Sequence, residues 1–110
     1  MFPTETERHN MKAYDIKNEN DMIEYLINNT KYQVIKINVG NKTQLRNCYA
    51  WSMNGEMYDK ETGEIKKAIF LQSWWTIVAV IVDDKCHTWK KYSSSTSRQI
   101  TWFKRQFNCD

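Results

Sequence analysis

Residues 74–82 read Trp-Trp-Thr-Ile-Val-Ala-Val-Ile-Val, the longest apolar run in the chain. The run is about half of what a membrane-spanning helix needs. It is rich in β-branched residues and shows no alternation of polar and apolar positions, which predicts a central strand covered on both faces. Strand neighbours point opposite ways, so cover on both faces would bury both Trp74 and Trp75; the alternative is that one of the two rings is exposed.

The pattern on either side sets the fold class. Downstream, Asp83-Asp84-Lys85 predicts a turn and Cys86–Tyr92 a returning strand. The cluster Ser93–Ser97 then opens a helix, with Thr96 as N-cap and Gln99 as its capping-box partner. On that helix Ile100, Phe103 and Phe107 form an i, i+3, i+7 stripe that would seat it on the sheet. Upstream, Ile65–Ser73 reads as a strand, and Asp59-Lys-Glu-Thr-Gly63 as the turn before it. Asn54-Gly55 is the strongest short hairpin signal, because both central positions of a type I′ turn need positive φ. It joins Leu45–Met53 to Glu56–Asp59, and Gly40-Asn41 ends a strand over Tyr32–Val39. Met22, Ile23, Leu26 and Ile27 mark a short amphipathic helix over Asn20–Asn29. Residues 1–17 show no periodicity and are expected to be a flexible tail before a single domain at 18–110. The expected architecture is α+β: an antiparallel sheet of about five or six strands, with an N-terminal and a C-terminal helix on one side.

At 110 residues, 41% hydrophobic and 26% charged, the composition is that of one globular domain, with a high aromatic share of 14%. Cys48, Cys86 and Cys109 have no CxxC spacing, so neither a disulfide framework nor a zinc site is indicated. The N-terminal residues carry no apolar signal-peptide core, and a reducing cytoplasm is the expected compartment. The formal charge of +3 is unevenly spread. Residues 1–30 hold six acids against three bases, and residues 85–109 hold six bases and no acid. This asymmetry fits either an acidic or polyanionic partner or an acidic element packed beside a basic one.

No catalytic or metal constellation stands out. Cys86 and His87 are strand neighbours facing opposite ways, which makes a buried Cys beside an exposed His the expected arrangement. Ser93–Ser95 lack a nucleophile elbow, and Asp83-Asp84 lie in a turn. An enzyme is not expected, nor is any metal or cofactor. Basic and aromatic residues do interleave, at Trp89-Lys90-Lys91-Tyr92 and at Arg98, Trp102, Lys104 and Arg105. Lys90, Lys91, Arg98, Trp102, Lys104 and Arg105 are therefore the candidate partner-binding residues. Lys and Arg neutralise phosphates and rings stack on bases, while Trp and Arg are also favoured at protein-binding hot spots. The alternative is that Trp102 folds against a strand and the bases are merely solvated.

The segment Ser73-Trp74-Trp75-Thr76-Ile77-Val78-Ala79, followed by Tyr92-Ser93-Ser94-Ser95-Thr96-Ser97-Arg98-Gln99-Ile100-Thr101-Trp102-Phe103, resembles a pattern in small uncharacterised bacteriophage proteins. That pattern runs Ser-aromatic-x-Thr-x-Val-Ala, a short hairpin, Tyr-Ser-x-Thr-Thr, then a helix with His-Ile and a Phe three residues on. The resemblance covers roughly residues 69–107 and departs from the pattern at Ser95, often Thr there, and at Gln99, often His. It implies a phage or prophage source and no established activity. The resulting expectation is a phage-encoded binding protein acting in the host bacterial cytoplasm without catalysis. It would bind a host protein or ribonucleoprotein, for instance as an inhibitor of a defence system such as CRISPR-Cas. A single-stranded nucleic-acid binder is the alternative. No membrane partner is expected, and the edge strands leave room for a homodimer.

Overall fold

The structure, a computed structural model, describes residues 19–109. The segment read above as a tail lies outside the described residues. Helix α1 (Glu19–Asn29) leads into β1 (Tyr32–Gln44), β2 (Ala50–Asp59), β3 (Ile65–Ser73), β4 (Thr76–Val82) and β5 (Lys85–His87), and helix α2 (Ser94–Gln106) follows. The strands pair in sequence order and every pair is antiparallel. The fold is thus α+β, a five-stranded antiparallel meander with one helix before it and one after.

The turns depend on side chains as much as on turn-prone residues. Asp83 and Asp84 have φ of 51° and 60°, the left-handed pair that a two-residue type I′ hairpin needs. Between β2 and β3, the Asp59 carboxylate accepts from the Glu61 and Thr62 amides at 2.9 and 3.3 Å and pairs with Lys31 at 3.1 Å. Burial alone would raise the Asp59 pKa, but Lys31 and the two amides outweigh it and hold the carboxyl below its ordinary value.

Four local expectations are corrected. Asn54-Gly55 is not a turn: both lie inside β2, opposite Ile69 and Ala68. A Cβ on Gly55 would run into the Lys36 carbonyl oxygen and the Phe70 ring, so the glycine serves close approach rather than positive φ. Gly40-Asn41 likewise lies within β1, in a bulged stretch where pairing slips between Ile37 and Lys42. The returning strand after Asp84 is only three residues long and stops at His87. Trp74-Trp75 is not in β4 but forms the turn between β3 and β4.

The placement of the helices is corrected as well: they sit on opposite faces of the sheet. Ala68, Phe70, Val80 and Val82 point toward α1, where Met22 and Leu26 complete one core with Met53 and Met57. Their strand neighbours Ile69, Leu71, Ala79 and Ile81 point the other way, onto Phe103 of α2 with Leu45 and Ala50. Because β3 and β4 are apolar on both sides, each face needs its own cover, and each helix supplies one.

Candidate interaction surface

Three segments meet at one end of the sheet. Residues 45–49 link β1 to β2, and the Leu45 amide donates to the Ala50 carbonyl at 2.8 Å to close the loop. The Trp74-Trp75 turn lies beside it, since the Trp74 amide donates to the Tyr49 carbonyl at 2.8 Å. Helix α2 is tied to the same end by the Ser73 hydroxyl, which donates to Oε1 of buried Gln99 at 2.6 Å. Gln99 thus anchors α2 to the end of β3.

The helix starts earlier than its sequence suggests. Ser93, not Thr96, is the N-cap, and its hydroxyl accepts from the Thr96 amide. Phe103 is fully buried, and Ile100 and Phe107 pack partly buried beside it. Arg98, Trp102 and Arg105, spaced i, i+4, i+7, then share an outer face of α2. Trp102 is half-buried at the margin of the α2-side core. The Arg46 guanidinium lies 4.3 Å from its ring centroid, within range of a cation–π contact. Arg46, Trp102, Arg105 and Gln106 line an open cleft of about 330 Å³.

The turn carries the most exposed aromatic surface. Trp74 and Trp75 are 53% and 50% exposed, and Tyr49 is 60% exposed. Tyr49 stacks on Trp74, with centroids 4.3 Å apart and planes 17° apart. Trp74 has φ of 55° and Arg46 has φ of 54°, a left-handed conformation that bulky side chains rarely adopt. Trp74 is held there from both sides, because its carbonyl also accepts from Nε2 of buried Gln72.

The six residues singled out by sequence divide. Arg98, Trp102 and Arg105 come together on α2, with Arg98 and Arg105 exposed and Lys104 half-buried. Lys90 is not free: it pairs with Asp21 of α1 at 2.6 Å, which realises locally the packing of acidic against basic segments. Lys91 is exposed in the coil before α2. Helix α1, which carries Asp21 and Glu24, packs on the other face of the sheet. Among the described residues, Arg98, Lys104 and Arg105 form no ion pair.

The sequence does not single out Arg46 or Tyr49, and it places Trp74 and Trp75 in a strand rather than in a turn. The available signal was two strand-like runs separated by two residues, the length of a tight hairpin loop. It was masked because tryptophan carries none of the chemistry of a turn residue.

Elsewhere, Cys86 packs with the α2-side core and His87 lies edge-on to Tyr32 on the opposite side. His87 is half-buried rather than exposed, with Nε2 buried and without a partner. Burial pushes the Cys86 thiol up to about 11. No cluster of three or more potential metal ligands occurs among the described residues, and no helix among them is long and apolar enough to cross a membrane. No family model, curated protein or solved structure matches the chain.

Proposed function

We propose that this chain is a phage-encoded, non-enzymatic binding protein that acts by protein–protein contact in the host cytoplasm, and that inhibition of a defence system such as CRISPR-Cas is its role. The observation that carries the reading is the Trp74-Trp75 turn. A tryptophan in the left-handed region costs about 1–2 kcal/mol, and here both rings are about half exposed, so burial does not offset the cost. Strain kept at an exposed aromatic tip is characteristic of surfaces selected for contact. With Tyr49 stacked on Trp74 and Arg46 in the same 45–49 loop, the tip has the composition of a binding hot spot. Inhibitors that imitate DNA are acidic. This chain has a net charge of +3, so it would block its target by shape, meeting an acidic or RNA-bearing surface.

Affinity capture from a bacterial host lysate provides the test, with the wild type beside Trp74→Ala/Trp75→Ala. The double variant is expected to keep its fold, measured by circular dichroism, and to lose the captured partner. Undiminished capture would move the functional surface elsewhere. Adding the purified chain to Cas nuclease cleavage reactions tests the narrower role, which fails if cleavage proceeds at full rate.

Single-stranded nucleic acid is the second reading, supported by Arg98 and Arg105 flanking an indole. A gel shift that weakens steeply with salt would favour it, since phosphate contacts release counterions.

A further inference from the structure

We infer that the cleft between Arg46, Trp102 and Arg105 is a carboxylate clamp that docks an acidic peptide segment of a protein partner. This rests on the protein-contact reading and adds the chemistry of the partner.

The first support is the distribution of ion pairs among the described residues. Lys31 pairs with Asp59, Lys66 with Asp83 and Glu64, and Lys90 with Asp21. Among the described residues Arg46, Arg98 and Arg105 have no acidic partner. Two arginines, Arg46 and Arg105, line the cleft beside one indole and leave positive charge that a partner can neutralise, and the planar guanidinium fork matches a carboxylate in bidentate geometry.

The second support is preorganisation. Arg46 is not a loose surface side chain: its backbone is left-handed at φ 54° and its guanidinium rests on the Trp102 ring. An arginine already held in place loses less side-chain entropy when it binds. The cleft, open and about 330 Å³ in volume, lies at the lower end of ligand-pocket sizes. That room suits one or two side chains of a longer segment, with Trp74 and Trp75 available to its apolar neighbours.

The third support separates peptide from nucleic acid. Base stacking needs free ring faces. Trp102 gives one face to Arg46 and packs against the α2-side core, and Trp74 gives a face to Tyr49. Carboxylates need only the guanidinium edges, which remain available.

A fluorescein-labelled glutamate-rich peptide with a central pair of leucines is the probe, followed by fluorescence anisotropy. Saturable binding is expected, weakened about tenfold or more in Arg46→Ala/Arg105→Ala, in line with the loss of charge-assisted hydrogen bonds. Arg46→Lys/Arg105→Lys, which keeps the charge, should weaken it by a smaller factor. Lys36→Ala/Lys67→Ala removes equal charge from the open sheet and should leave binding unchanged; a loss there as large as in the arginine variant reduces the effect to net charge and overturns the clamp. So does the absence of peptide binding by the wild type, or a preference for oligothymidylate over the peptide. Peptide binding that needs the arginines, together with partner capture indifferent to Trp74→Ala/Trp75→Ala, would keep the clamp and sink the aromatic surface. The reverse pattern would sink the clamp alone.

Discussion

His87 is a side chain whose protonation the fold opposes from two directions. Burial lowers its pKa first, and the nearby Lys85 charge lowers it further. A depressed folded-state pKa means that, as pH falls, the unfolded chain takes up a proton before the folded chain does. Stability is therefore complete above the ordinary histidine value of about 6.5 and is lost as pH drops below it toward the folded value. Urea midpoints measured between neutral pH and mild acid should fall for the wild type and stay flatter for His87→Gln. Equal slopes would show that another group controls the change. Gly55 invites a different substitution. If it were the second residue of a hairpin turn, Asn would replace it well. Because the Lys36 carbonyl and the Phe70 ring occupy the space instead, Gly55→Ala should lose about 1–3 kcal/mol, and Gly55→Asn should lose more. An Asn variant more stable than the Ala variant in urea unfolding would restore the turn reading.

Helix α2 shows how an element can be legible while its boundary is not. Its apolar stripe of Ile100, Phe103 and Phe107 follows directly from the 3.6-residue period, and these are the residues packed on the sheet. The start is ambiguous because Ser93, Ser94, Ser95, Thr96 and Ser97 are all competent caps. The choice falls to tertiary structure. Gln99 is drawn inward to the Ser73 hydroxyl, so it cannot turn back as a capping-box partner, and Ser93 takes the cap. Ser93→Ala should therefore cost about 0.5–2 kcal/mol, and Thr96→Ala markedly less. Thermal unfolding followed by far-ultraviolet circular dichroism separates them, and a larger loss at Thr96 would contradict the cap. The strands repeat the lesson. The apolar run 74–82 contains β4 but begins two residues early, and Leu45–Met53 straddles a loop and the start of β2.

Across the whole chain, the sheet separates two cores and, with them, two electrostatic settings. Asp21 on α1 answers Lys90, while the outer face of α2 keeps Arg98 and Arg105 without acids among the described residues. This division explains how a modest net charge coexists with a locally positive, aromatic end built from the 45–49 loop, the Trp74-Trp75 turn and α2. Of that end, Arg98, Trp102 and Arg105 were readable because helical spacing brings them together on one element. Arg46, Tyr49, Trp74 and Trp75 were not, because their neighbours are distant in sequence. The Trp74 turn depends on the Tyr49 carbonyl and on Gln72, and Arg46 finds its place on an indole more than fifty positions away. Hydrophobic period, β-branching and cap chemistry are local properties, and they alone determined that this protein is an antiparallel α+β domain flanked by helices. Which face each helix covers, which glycine permits close approach and which tryptophans are forced into a turn were decided only by tertiary structure, because each depends on atoms from remote segments competing for the same space and the same hydrogen bonds.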